Sequence, residues 1–179
     1  MRIISLTPVG RVDHALLEPL AEGLTRSLRV ACSIEPSRLE VEFAFNPLRQ
    51  QYHSTEILKK ILQRPGGNSW RVLGVTEMDL YIPILTFVFG EAQLADVGAV
   101  VSTHRLRQEF YGMPTNPEIL HERLLKESLH ELGHTYGLRH CSDYTCVMSS
   151  SNGVERIDLK RAEFCAACAD AMQSASNNP

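Results

Sequence analysis

Between His130 and Met148 the chain reads H-E-L-G-H-T-Y-G-L-R-H-C-S-D-Y-T-C-V-M, a run that leaves little freedom in what can be built around it. On a helix, His130 and His134 lie one turn apart on the same face, with roughly 5–6 Å between their Cβ atoms, so two imidazoles can share one metal ion. Glu131 cannot be a further ligand on that face, but it can reach a water on the metal and act as general base. Gly137 is where such a helix can stop and reverse, because glycine takes the left-handed conformation at no steric cost. The turn can bring His140 back to the same ion. Three neutral imidazoles with an open position describe a catalytic zinc site, since structural sites are usually closed by four protein ligands. The plain alternative is a helix carrying ordinary buried or surface histidines.

Gly137, His140 and Met148 complete the pattern H-E-x-x-H-x-x-G-x-x-H with a later Met-turn, which is that of the metzincins. Cys141 directly follows His140, Cys146 comes shortly after, and Cys165-Ala-Ala-Cys168 forms a second pair. With these cysteines the sequence resembles the archaemetzincins, whose signature joins a metzincin zinc helix to a second, four-cysteine zinc site. The segments N-P-L-R-Q-Q-Y at 46–52, V-L-G-V-T-E-M-D-L-Y-I-P at 72–83 and F-V-F-G-E-A at 87–92 extend the likeness over most of the chain.

The resemblance implies an α/β (α+β) fold: a twisted mixed sheet of about four to five strands packed with helices. It adds a long zinc-binding helix and a C-terminal helix tied by the cysteine site. It implies a zinc-dependent peptidase acting on peptides or proteins, with one catalytic and one structural zinc per chain. His130, His134 and His140 would hold the first, with Glu131 as base, and Cys141, Cys146, Cys165 and Cys168 the second. Met148 would pack beneath the histidines as an apolar floor. Metzincins bind substrate along an edge strand, and the resemblance assigns that role to Phe87, Val88, Phe89 and Gly90. Read from residues alone, the apolar run Leu85 to Gly90 fits an internal core strand as well. Several metzincins carry a tyrosine near the Met-turn, whereas here serines follow.

The chain of 179 residues is expected to form one domain over 1–179. Sheet and backing helices occupy 1–115, the active-site helix 116–138, and the Met-turn, cysteine site and closing helix 139–173, with a disordered tail at 174–179. No pro-segment is expected. A net charge of −3 without a lysine or arginine run argues against nucleic acid as a partner. The start M-R-I-I-S-L-T-P-V-G does not read as a secretory signal, and the longest apolar stretch, Leu80 to Phe89, is too short to span a bilayer and contains Pro83. The expected location is cytoplasmic, away from membranes, and the oligomeric state is unknown. In a reducing compartment the cysteines favour metal ligation over disulfides. Cys32 is left over and reads as a small buried residue.

Taken in order, Arg2 to Thr7 reads as a strand ended by Pro8 and Gly10, and Asp13 caps a helix with Leu16, Leu17, Leu20, Leu24 and Leu28 on one face. Arg29 to Ile34 reads as a second strand, and Val41 to Phe45 as strand or extended loop. Ser54 to Gln63 predicts a helix capped by Ser54 or Thr55 and closed by Pro65-Gly66-Gly67, preceded by an exposed His53. Trp70 to Val75 and Gly98 to Thr103 predict buried strands, with Met78 to Ile82 continuing the first or starting a loop. His14, His104 and His121 read as ordinary solvent or satisfied histidines. Asn116-Pro117-Glu118 starts the long helix, and Glu155 to Met172 reads as one closing helix.

The expected chemistry needs neutral histidines and a charged Glu131, so activity should fall in acid. A zinc-containing peptide-binding module without catalysis uses the same motif, but would not need Glu131. An empty histidine site beside a filled cysteine site, and hydrolysis of a non-peptide amide, are the other readings. An aminopeptidase would need an acid near the substrate amine, for which Glu91, Asp96 and Asp143 are candidates.

Overall fold

The computed structural model describes residues 2–63 and 69–177. Its β-branched opening run forms β1 (Ile3–Pro8), which pairs in parallel with β2 (Ala31–Ile34) and β5 (Arg71–Thr76). β5 pairs in parallel with β8 (Gly98–Ser102), and the short β7 (Gly90–Ala92) lies antiparallel to β8 at the edge, giving the order β2-β1-β5-β8-β7. A smaller sheet joins β3 (Phe45–Asn46), β4 (Gln51–His53) and β6 (Leu80–Tyr81) in the order β3-β4-β6.

Parallel strands need cover on both faces, and the period-two alternation of side chains supplies it. Ile4, Leu6, Leu73, Val75, Ala99 and Val101 turn to one face. There they meet Leu17, Leu20 and Leu24 of α1 (Leu17–Leu28) and Leu120, Leu124, Leu129 and Leu132 of α3 (Pro117–Thr135). Val100 turns the other way, into a cluster with Ile57 and Ile61 of α2 (Ser54–Leu62). Each such side chain contributes about 1.5–3 kcal/mol on full burial. Among the described residues no helix is long and apolar enough to cross a membrane.

Several local expectations change in context. Asp13 caps a 3-10 turn, His14–Leu16, ahead of α1. Arg29 takes a left-handed conformation (φ 55°) at the helix end, so β2 begins only at Ala31. The 41–45 stretch is a 3-10 turn, Glu42–Ala44, running into β3. Ser54 and Thr55 do not cap α2, because their hydroxyls donate to the Glu91 carboxylate instead. His53 is not an exposed loop residue: it ends β4, half-buried, and stacks on Tyr81 at 5.2 Å between ring centroids. Pro65, Gly66 and Gly67, read as the stop of α2, lie outside the described residues.

Two corrections bear on the site. The run Leu85 to Phe89 is not a strand, and regular pairing starts at Gly90. Arg49 Nη2 donates to the carbonyls of Leu85 (2.7 Å) and Thr86 (3.0 Å), and Gln51 Nε2 donates to Thr86 O at 3.0 Å. Side chains thus take the acceptors that a β-ladder would use. The closing helix is in fact two, α4 (Val154–Leu159) and α5 (Ala166–Asn177). Between them, Arg161 N–H donates to Thr145 O, and Val147 N–H donates to Glu163 O, so the break is stitched to the loop before Met148. Helix α5 also carries through Ser174 to Asn177, where a disordered tail was expected. Residues 178 and 179 lie outside the described residues.

Candidate active site

The long helix begins and ends on local signals. Asn116 accepts the Ile119 N–H at 3.1 Å, and Pro117 occupies the first turn, where a missing N–H costs nothing. At the other end Gly137 N–H donates to His134 O (2.9 Å) and Leu138 N–H to Gly133 O (3.1 Å), the paired bonds of a Schellman motif. That motif requires a left-handed residue, which Gly137 supplies at φ 88°.

The reversal sets up the histidines. Leu138, just past the turn, presents its carbonyl to His134 Nδ1 at 2.7 Å, and Val147 presents its own to His130 Nδ1 at 2.9 Å. A carbonyl only accepts, so both Nδ1 atoms carry the proton and both Nε2 atoms keep a free lone pair. Those two Nε2 atoms converge to 3.1 Å, and the exposed His140 ring closes the triangle at 5.2 and 5.1 Å between centroids. Tetrahedral zinc with bonds of about 2.0–2.1 Å would separate two nitrogens by about 3.3 Å. The donor set therefore fits zinc. Burial, foremost, pushes all three imidazoles below their ordinary pKa, His130 furthest, with the Lys160 charge acting in the same sense. The histidines are accordingly neutral, the form that ligates.

Glu131 is 6% exposed. Burial raises its carboxyl well above the ordinary carboxylate range, with smaller contributions from Glu127 and Glu91. A dication beside it acts in the opposite sense and favours the carboxylate. Its place depends on Gly90: a Cβ there would stand 2.6 Å from Glu131 Cγ and 2.6 Å from Val100 O. Met148, fully buried, lies under the helix, with its sulfur filling the space beside Gly133.

The four cysteines form a second cluster. Cys141 Sγ and Cys165 Sγ are 3.8 Å apart, all four sulfurs lie within 4.8 Å of one another, and none is disulfide-bonded. Zn–S bonds of about 2.3 Å in a tetrahedron separate the sulfurs by about 3.8 Å, so this set also fits zinc. Cys141 N–H donates to Met148 O at 2.9 Å and Cys165 N–H to Cys146 Sγ at 3.3 Å, tying the cluster to the Met-turn.

A cleft of about 540 Å³ opens on the histidines, lined by His130, Glu131, His134 and His140 on one side and Phe87 to Ala92 on the other. Phe87, Val88, Phe89 and Gly90 thus all reach the cleft, although only Gly90 belongs to the edge strand.

The chain's likeness to known proteins bears on this arrangement. The model of Peptidase family M54 matches residues 41–174. The chain belongs to this family. An archaemetzincin from Methanocaldococcus jannaschii is 42% identical over 170 residues, spanning 95% of this chain and 92% of that one. The crystal structure of a zinc-dependent peptidase from Methanocorpusculum labreanum superposes with a TM-score of 0.85 at 31% identity, covering 94% of this chain and 99% of that one. An archaemetzincin from Archaeoglobus fulgidus, solved in complex with malonate, gives 0.82 at 36% identity, again covering 94% and 99%. The archaemetzincin resemblance and the mixed α/β fold that it implied are borne out, and the chain is a zinc metallopeptidase.

For this M54 peptidase, sequence reasoning overlooked part of the cleft. Glu127 and Lys160 form an ion pair at 3.3 Å with side chains 4% and 1% exposed, beside the cleft that Glu127 lines. Glu127 lies one turn before Glu131 on the same helical face, which was the available signal. Of the three acids considered for an amine anchor, only Glu91 lines the cleft. Asp143 accepts from Thr145 in a separate hollow, and Asp96 accepts from the Val97 N–H. Ser151, also in the cleft, keeps a buried hydroxyl oxygen without a partner.

Proposed function

We infer that the chain hydrolyses peptide bonds at the histidine cleft, with His130, His134 and His140 holding the catalytic zinc and Glu131 serving as general base. The observation that carries this reading is the convergence of three imidazoles and the buried Glu131 carboxylate on one cleft beside a sheet edge. When bound there, zinc polarises the scissile carbonyl and lowers the pKa of water towards about 7. Glu131 takes the proton of the attacking water and returns it to the leaving amine. Its burial keeps bulk water from competing for that proton. The Val147 and Leu138 carbonyls hold two of the rings in the ligating tautomer.

The outer backbone groups of β7 offer an extended peptide a partner strand, which grips the main chain without selecting side chains. Phe87, Val88 and Phe89 supply an apolar wall beside it, braced by Arg49 and Gln51. Cys141, Cys146, Cys165 and Cys168 hold a structural zinc, which brings the count to one catalytic and one structural ion. Met148 is the floor beneath the rings and not a ligand.

The test is digestion of a mixed peptide library by zinc-loaded protein, read by mass spectrometry, beside Glu131→Gln with its zinc content measured. Products from the wild type alone, at equal zinc content, are the expected result and report where the enzyme cuts. Equal cleavage by the variant would remove Glu131 from the mechanism.

A further inference from the structure

Away from the cleft, a larger groove of about 820 Å³ runs between the end of α1, the start of β5 and the helix α5. Its character differs from that of the chain as a whole. In a protein of net charge −3, Arg2, Arg26 and Arg29 all line this groove, against a single carboxylate, Glu163. Its wall is aromatic: Trp70 meets Tyr136 edge-on at 5.2 Å. The Arg71 guanidinium lies 4.6 Å from both ring centroids, and that of Arg2 lies 4.6 Å from Trp70.

Arg26, Arg29 and Arg71 are poorly neutralised. Arg71 has no carboxylate within ion-pair distance among the described residues, and its Nε is shielded from solvent without an acceptor. Arg29 makes no side-chain ion pair or hydrogen bond among the described residues, and Arg26 has only an exposed contact of 3.9 Å to Glu22. Arg29 also stands where a helix end ordinarily places glycine, in the left-handed conformation at φ 55°. A bulky residue held there against its backbone preference points to use of the side chain.

We propose that this groove binds a small soluble phosphate ester, with Arg26 and Arg29 taking the phosphoryl oxygens and Arg71, stacked on the Trp70–Tyr136 wall, adding a fixed positive charge to that wall. Arginine forks match phosphate bidentately, and the volume lies within the range of small-molecule sites, about 300–1,000 Å³. The aromatic wall is already covered by guanidinium groups, so the anionic part of the ligand is what the groove recognises. The site also adjoins the catalytic helix, because Tyr136 is the residue on which α3 ends.

Trp70 is the only tryptophan in the sequence, so its emission reports on this groove alone. Zinc-loaded protein is titrated at constant ionic strength with fructose 1,6-bisphosphate, a weak zinc chelator, with AMP as the nucleotide arm and sodium sulfate as the salt control. The expected result is a saturable change in emission with the bisphosphate and none with sulfate. Arg29→Gly should weaken binding at least about tenfold, as loss of one charged hydrogen-bonding group does. Its melting temperature should be unchanged or higher, since glycine suits that conformation. Arg26→Gln should weaken binding in the same direction. Tighter binding of AMP would identify the ester as a nucleotide, and tighter binding of the bisphosphate as a sugar phosphate. The absence of saturation with either ester, or wild-type affinity in both variants, would overturn the proposal.

Discussion

The histidine and cysteine clusters are joined by one peptide bond, between His140 and Cys141, yet they are built by opposite means. The first stands on a regular helix of 19 residues, where the turn spacing places two rings and main-chain carbonyls orient them. It opens on a cleft. The second is assembled from loop residues and the start of α5, and it offers four donors that close on one another. An open donor set leaves room for a reacting molecule, whereas a closed one can only hold the chain together. Gly133 stands between the two: a Cβ on it would lie 2.3 Å from Met148 Sδ and 3.2 Å from a ring carbon of Phe164, the residue before Cys165. Through Phe164 and the Cys141 N–H to Met148 O bond, the cysteine cluster adjoins Met148 and the helix that carries the histidines.

Breaking the closed cluster should have the largest effect. Cys165→Ser is expected to lose one zinc equivalent and several kcal/mol of stability, lowering the melting temperature by about 10 °C or more. Metal analysis and calorimetry read this, and a wild-type melting point would deny the cluster its structural role. Next is Glu131→Gln, which should lower kcat/KM about 10²–10⁴-fold while zinc content and melting temperature stay put. That contrast separates the chemical side of the pair from the structural one.

Gly133→Ala should strain both sides at once. The added methyl meets a packed sulfur and an aromatic ring, and overpacking of this kind costs about 1–3 kcal/mol. Stability and activity should fall together, and a variant that loses neither would show the two clusters to be independent. The smallest change is expected from Met148→Leu, a volume-conserving swap that costs less than about 1.5 kcal/mol. Full zinc content in this variant identifies Met148 as packing. A lost equivalent would make it a ligand.

How much of this was legible in the sequence depends on the range of the interaction. The start of the long helix at Asn116-Pro117 and its reversal at Gly137 were readable, because capping is settled by residues three or four apart. The edge strand was placed several residues too early, because Arg49 and Gln51, far off in the chain, take the carbonyls of Leu85 and Thr86. Ser54 and Thr55 looked like helix caps for the same reason. Their hydroxyls had a stronger acceptor in Glu91, which is visible only once β7 lies beside α2. The split of the closing helix was likewise out of reach, because it is made by the backbone contacts of Arg161 and Glu163 with the loop before Met148.

The sequence by itself determined the helix that presents His130, Glu131 and His134, the turn that returns His140, and the cysteine spacing, since each follows from local backbone geometry. Tertiary structure alone decided what surrounds them. It buried Glu127 against Lys160, set Gly90 where Glu131 must pass, and gathered Arg2, Arg26 and Arg29 into one groove with Arg71 stacked on its Trp70–Tyr136 wall, although no basic run joins them in the chain. Strand pairing and helix packing bring together residues tens of positions apart, and local periodicity carries no record of those distances.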